Sequence, residues 1–478
     1  MDIKKVAISG TKWTAVSTII TASIQVLRLS ILTRFLDKSD FGIVAILTFV
    51  LGLTNTFADL GFSAAIMHKQ DISRNEFSSL YWIQFVFFTV LFVIFCFLSP
   101  FISLFYAEES ITYLLPIVLL DLIFNGVGRL YDTLLQKNFQ FRLIALRNII
   151  SSIISIFVAL LLAIWGCGIY SLIFSTLFNT IVFNIWNFIS GQKLIRLKFK
   201  IDFRESFALA KIGLFQTGTQ IIDYIAAKFD ILIIGKFLGT ENLGIYNLAK
   251  ELVMKVILLI NSIANKVILP IFSKVQNDPE TLRNTYCKVL TILSSVNFPI
   301  SVIISVLSPQ IVAVLYGKGY EDVGLLMSIL SLWSLFLCIG NPVGSIAIAT
   351  GKTNLSFYYT LVRFFLTIPI LLLASMFDIK IVAWSNVLMA VIMFFVAWRM
   401  LLRKMIGLSL KRYYLSFHKP FVTAIILGVP MYLIKLYNLL NIGYSSIVNG
   451  CIYGILLIAL YGVVYYKFYG KEYFINLK

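Results

Sequence analysis

Charge is what this chain has least of. Only 13% of its 478 residues are Asp, Glu, Lys or Arg, while 59% are apolar. That balance leaves too few ionic groups to solvate a soluble protein of this length. Acidic residues are scarcer than basic ones, 22 against 40, for a formal net charge of +18. Histidine is nearly missing. His68 and His418 are too few for a His-based triad or a multi-His metal site. The five cysteines, Cys96, Cys167, Cys287, Cys338 and Cys451, lie in or beside apolar runs at no metal-like spacing and read as packing residues. Gly351, Lys352 and Thr353 resemble the end of a phosphate-binding loop, but Ile346 stands where its first glycine belongs. No polar stretch is long enough to form an extramembrane catalytic domain, so the chain is not expected to be an enzyme.

Long apolar runs are what remains, and the mean hydropathy is +0.92. A hydrocarbon core about 30 Å thick is crossed by roughly 20 apolar residues in a helix. Runs of that length fall at 12–33, 41–66, 77–98, 111–135, 142–165, 168–190, 207–234, 243–270, 286–308, 323–350, 354–376, 379–402, 417–437 and 446–467. The first follows a short lead ending in Lys4 and Lys5 with no small-residue cleavage site, the pattern of an uncleaved signal anchor.

Basic residues are retained on the cytoplasmic side of a membrane. With the N-terminus inside, 28 of the 40 fall in inner segments, six in outer ones (Arg34, Lys38, Lys236, Lys318, Lys380 and Lys435), and six within or at the ends of spans. This alternation predicts a multi-pass membrane protein with both termini on the cytoplasmic side. It also accounts for the net charge without a nucleic-acid partner, leaving membrane lipids as the anionic neighbours.

The chain contains a repeat. Residues 31–43, ILTRFLDKSDFGI, are echoed 202 positions later by 233–245, IIGKFLGTENLGI. Residues 99–106, SPFISLFY, match 308–316, SPQIVAVLY, and the pair Asn138 and Arg147 matches Asn354 and Arg363. The longest polar interruption, 191–206, falls between spans six and seven, and a basic linker at 403–412 follows span twelve. The expected fold is therefore an all-α polytopic membrane protein of about 14 transmembrane helices. Two six-helix lobes, 1–198 and 199–406, form a parallel pseudo-repeat, and 407–478 adds a terminal helix pair. An even number of spans per repeat keeps both lobes in one orientation, with a cleft between them.

Polar residues recur at helical spacing in four spans. Thr14, Thr18, Thr21, Gln25 and Arg28 share one face of span one, and Gln216, Gln220, Asp223 and Asp230 occupy the equivalent face of span seven. Spans two and eight carry Thr48, Asn55 and Asp59, and Asn247, Lys250, Asn261 and Asn265. Polar groups in lipid are costly, so these faces are expected to line a wet cavity. Arg28, Gln25, Thr21, Lys228, Lys250, Asn247 and Gln220 are the candidate substrate residues. Lys228 could instead pair with Asp223 or Asp230. These two carboxylates are candidate sites for a coupling H⁺ or Na⁺, with Asp59 and Asp121 weaker ones and helix-joining salt bridges the alternative. Arg147 and Arg363 mark a cytoplasmic entry, or simply snorkel to the interface. Pro342, following Asn341, is the candidate hinge. No metal or other cofactor is expected.

Six segments carry a family resemblance: FGIVA at 41–45, DLGFSAA at 59–65, QKNFQF at 136–141, GKFLG at 235–239, LGIYNLA at 243–249 and LPIFSK at 269–274. From about residue 10 to about residue 412, the chain resembles polysaccharide exporters of the multidrug/oligosaccharidyl-lipid/polysaccharide flippase superfamily, in the colanic acid and teichuronic acid exporter branch. The resemblance implies a MATE-like fold in which alternating access moves an undecaprenyl-diphosphate-linked sugar repeat to the outer leaflet. It implies a lipid-linked oligosaccharide as substrate, with a polysaccharide polymerase and chain-length machinery as partners. It also implies that cavity cations hold diphosphate and sugar acids, a role that Arg28, Lys228 and Lys250 would fill by position. A multidrug exporter, a peptidoglycan lipid precursor flippase and a membrane glycan polymerase stay open as alternatives.

Overall fold

A computed structural model describes residues 3–58, 61–69, 72–199, 203–436 and 454–464, together with the single positions 452 and 467. Every regular element among them is helical. In chain order they are α1 (Ile3–Leu32), α2 (Lys38–Ala58), α3 (Phe62–His68), α4 (Arg74–Tyr106), α5 (Ile111–Lys137), α6 (Phe141–Ile164), α7 (Tyr170–Gln192), α8 (Phe203–Phe237), α9 (Gly239–Val275), α10 (Pro279–Leu315), α11 (Glu321–Ala349), α12 (Thr353–Ser375), α13 (Ile379–Ala397), α14 (Arg403–Ile406) and α15 (Leu410–Leu436), with one π turn at Trp398–Leu402.

Ten helices among the described residues are long and apolar enough to cross a membrane. The expected fourteen are not all recovered, for a physical reason. α8 and α9 have 35 and 37 residues, ample for a crossing, but they carry the polar stripes. α9 alone holds Glu241, Lys250, Glu251 and Lys255 in its first half. Of the last expected span the described residues include the apolar helix Gly454–Val464, too short by itself to cross a membrane, and Asp59 lies outside the described residues. Elsewhere the apolar faces point outward. Phe97 is 76% exposed on α4, and exposed Phe157, Phe365 and Leu373 continue the pattern on α6 and α12, as a lipid-facing surface requires.

Helix ends are fixed locally. Ser73 and Glu76 form a reciprocal capping box at the start of α4, and Asp278 caps α10 ahead of Pro279 at the first helical position. The Asp278 carboxyl is held below its usual range by the Thr281 hydroxyl and by backbone N–H donors.

The chain divides into two compact units, Met1–Gly244 and Ile245–Lys478. In the first, α5 packs against α2, α3, α4, α6 and α7, and Phe62, Phe77, Tyr81 and Tyr131 form an aromatic cluster beside it. In the second, α10 packs against α11 and α15, and α13 joins α11 to α12. An aromatic core there includes Phe272, Tyr286, Phe298, Tyr413 and Phe417, with Phe394 stacked on Tyr413 at 4.8 Å.

Within the first unit the 202-residue echoes meet each other. A Cβ on Gly42 would lie 1.8 Å from the Thr240 carbonyl oxygen, and one on Gly244 would lie 1.8 Å from that of Lys38. The partners are reciprocal: Lys38 and Thr240 are themselves 202 apart, as are the two glycines. Only glycine allows backbones to approach this closely. The sequence repeat thus closes on itself at one local twofold crossing.

Candidate functional site

The polar stripe of α1 splits into two kinds of residue. Thr14, Thr18 and Thr21 bond back to carbonyls of their own helix, Thr21 to Ser17 at 2.8 Å, so their hydroxyls are satisfied without a cavity. Gln25 is exposed. Arg28 is half-buried and donates to Ser155 Oγ of α6 at 3.0 Å and to Thr176 Oγ1 of α7 at 3.4 Å. These two hydroxyls orient the guanidinium.

α8 is anchored to α2 by Tyr224, which donates to the Phe49 carbonyl at 3.1 Å and stacks on the Phe49 ring. On this helix Gln220 is exposed, Asp223 and Lys228 are half-buried, and Asp230 is buried with its carboxylate accepting the Ile231 N–H at 3.0 Å. The Gln216 side chain lies outside the described residues.

In the second unit, Lys250 is the cation in the driest place, 7% exposed. Its Nζ lies 5.7 Å from the Tyr246 ring centroid and 5.5 Å from that of Trp333 on α11, close enough for both π faces to attract it. Tyr246 is fixed in turn by a 3.0 Å bond from Asn386 on α13 to its hydroxyl. Asn247 is half-buried beside it. Sequence reasoning chose Lys250 but missed the two rings. Trp333 sits 83 positions away on α11, and only the fold brings its ring to Lys250.

The two entry candidates behave differently. Arg147 does not snorkel. It is 1% exposed, pairs with Asp132 of α5 at 2.7 Å, bonds Asn187 of α7 and Asn148, and lies over the Phe183 ring at 3.8 Å. A buried cation is retained when it is paired and hydrogen-bonded, and here three helices supply the partners. A faint signal existed in the sequence: Asp132 and Arg147 stand at similar distances either side of the α5–α6 turn. Arg363 is half-buried on α12, and its carbonyl accepts the Thr367 hydroxyl at 2.7 Å. Pro342 is buried within α11, which runs unbroken through it. The neighbouring Asn341 exchanges amide bonds of 3.0 and 3.3 Å with Asn265 of α9.

A polar network that the sequence showed only in fragments joins α2, α5 and α7 through Asn55, Asp121, Asn125, Thr180 and Asn184. Among the described residues, no three His, Cys, Asp or Glu side chains gather as a metal site needs. The arrangement offers buried positive charge and amides.

A family model described as a polysaccharide biosynthesis protein matches residues 31–324. The teichuronic acid biosynthesis protein TuaB of Bacillus subtilis (strain 168) is 27% identical, over 90% of this chain and 89% of that protein. The lipopolysaccharide biosynthesis protein WzxC of Escherichia coli (strain K12) is 25% identical, over 88% and 86%. Among solved structures, the lipid II flippase MurJ in an inward closed conformation aligns with a TM-score of 0.72 at 16% identity, covering 96% of this chain and 99% of that one. An inward-facing MATE family multidrug resistance transporter aligns with a TM-score of 0.65 at 14% identity, covering 80% and 97%. At such identities the structures establish a shared fold, a MATE-like helical membrane architecture.

Proposed function

The chain belongs to the polysaccharide biosynthesis protein family, and from that premise we propose that it is a flippase that exports lipid-linked oligosaccharide repeat units across the bacterial cytoplasmic membrane. Its substrate is an undecaprenyl-diphosphate-linked glycan, delivered to a polymerase and chain-length machinery for surface polysaccharide. The observation that carries the reading is Lys250, a cation kept almost dry between two aromatic rings. A lipid diphosphate is multiply anionic and its sugars are hydrated, so neither crosses hydrocarbon unaided. A desolvated ammonium attracts phosphate more strongly than an exposed one, and flat aromatic faces suit sugar rings. Arg28 and Lys228 are the candidate cations of the first unit, and alternating access would expose these groups to each leaflet in turn. Both termini are placed in the cytoplasm on the distribution of basic loops.

The test is leaflet-resolved measurement of lipid-linked glycan, with surface polysaccharide, in cells lacking the gene and complemented with wild type or with Lys250→Gln. The expected result is complete repeat units trapped inside and no surface polymer without the gene, restored by wild type and not by the variant at equal protein level. Repeat units that reach the outer leaflet unpolymerised would refute export and favour a polymerase. Lysis on depletion would point to a peptidoglycan precursor, and drug sensitivity to a multidrug substrate.

A further inference from the structure

Asp121 lies within α5, ten residues from its start, and is 6% exposed. Its two carboxylate oxygens accept from Asn55 Nδ2 of α2 at 3.4 Å, from the Asn125 amide, and from the Thr180 hydroxyl of α7. All three donors are neutral. The amides continue outward: Asn125 Nδ2 donates to Asn55 Oδ1 at 3.3 Å, and Asn184 Nδ2 donates to Asn125 Oδ1 and to the Thr180 carbonyl, both at 3.0 Å. The chain ends on a defect. Asn184 is 1% exposed, yet its Oδ1 accepts no hydrogen bond, and a buried acceptor without a donor is an unsatisfied cost.

We propose that Asp121 is a proton-binding site whose occupancy reverses the polarity of the Asp121–Asn125–Asn184 chain and is felt by α2 through Asn55. A hydronium ion gives up its proton, one of its O–H bonds breaking as an O–H bond forms on the carboxylate, and the products are a neutral carboxyl and a water molecule. The new O–H needs an acceptor, and Asn125 supplies one by rotating its amide so that Oδ1 faces Asp121. Its Nδ2 then turns toward Asn184, whose orphan oxygen gains a donor once that amide rotates as well. The same rotation withdraws Asn125 Nδ2 from Asn55 Oδ1. Charged Asp121 thus holds α2 through both ends of the Asn55 amide, and neutral Asp121 holds it through one at most.

The surroundings favour titration of this group over a fixed ion pair. α5 packs against α2, α3, α4, α6 and α7. α7 has no charged residue, and α3 offers only its terminal His68. Lys38 and Asp40 lie in the first turn of α2, and Arg74 and Glu76 in the first turn of α4, with Glu76 paired to Lys69. On α6, Arg142 sits over Trp13 and Arg147 pairs with Asp132 of α5. Tyr81 and Tyr131 belong to the aromatic cluster. Arg129, eight residues further along α5, is the nearest charged residue in the sequence of its own helix. Use of this proton to drive export rests on the function proposed above; the binding event does not.

The test is pH-difference infrared spectroscopy of the purified full chain in nanodiscs, reading the C=O stretch of a protonated buried carboxyl. Wild type should show one such band that titrates, absent from Asp121→Asn. Thr180→Val keeps the carboxylate and removes one donor to the anion, so its midpoint should rise by about one to two pH units. Persistence of the band in Asp121→Asn, no titrating band in wild type, or an unmoved midpoint in Thr180→Val would each overturn the proposal. Displacement of the band by Na⁺ but not K⁺ would make this a sodium site and overturn the proton assignment. The spectra involve no glycan, so they can fail while export stands, and the leaflet assay can fail while they stand.

Discussion

Replacing Gly42 with alanine should force α2 and the start of α9 apart. The added methyl would sit 1.8 Å from the Thr240 carbonyl oxygen, and the equivalent methyl on Gly244 would sit 1.8 Å from that of Lys38. Both obstacles are backbone, so no side chain can rotate away. Cβ contacts under 3.0 Å essentially do not occur, so the two segments must separate by about 1.2 Å or more, and overpacking of this kind costs about 1–3 kcal/mol. The reciprocal geometry sharpens the expectation. Once one methyl has opened the crossing, the second meets less resistance, so the double variant should lose less than the sum of the single losses. Thermal unfolding of the purified protein in a fixed detergent reads this directly. Gly340→Ala, in α11 with nothing within 4 Å of the new Cβ, is the control and should be stabilising by about 0.5–1 kcal/mol. Wild-type stability in Gly42→Ala, or strictly additive losses in the double variant, would refute a crossing held by the paired glycines.

Two further outcomes follow from single residues. The folded-state pKa of Asp278 is depressed, so its cap is fully present above the ordinary value of 3.8 and lost as pH falls through the lower folded value. Hydrogen-exchange protection of residues 280–283, corrected for intrinsic rates, should be flat from neutral pH down to that value, fall below it, and be weak at every pH in Asp278→Ala. Pro342→Ala restores a backbone donor inside α11 and should slow export without lowering protein level if α11 bends there; unchanged export would assign Pro342 a static role.

The legible part of this chain was its periodicity, and the hidden part its pairings. Apolar runs and basic loops are local properties, and they marked most helices. The threonine stripe of α1 correctly reported one helix face, but a hydroxyl that can bond the carbonyl one turn back says nothing about water. Lys250 stood out because an ammonium in an apolar run is costly, while Tyr246 and Trp333 looked like ordinary aromatics among many. Asp121 was visible as a lone carboxylate. Its partners on α2 and α7 are 66 and 59 residues away, so only the fold shows that neutral amides, and not a basic residue, surround it. The repeat was readable as an offset of 202, but the meeting of its two copies was not.

That repeat also gives a way to separate structural cations from functional ones. Arg147 and Arg363 correspond at an offset of 216, set by Asn138 and Asn354. At the same offset Ile348 stands where Asp132 does, and Arg403 where Asn187 does. The two residues that pair with and bond Arg147 from α5 and α7 are therefore not repeated in sequence at this offset, although both arginines open matching helices. Arg147→Met would strand the Asp132 carboxylate beside an apolar side chain and should cost about 3–5 kcal/mol. The double variant with Asp132→Asn should recover much of that, because no charge is then left unpaired. Arg363→Met, with Ile348 at the position matched to Asp132, should cost less stability than Arg147→Met and lower export in the leaflet assay. Equal stability losses in the two arginine variants would show that both units use this position to hold helices together, and would remove Arg363 from the substrate route.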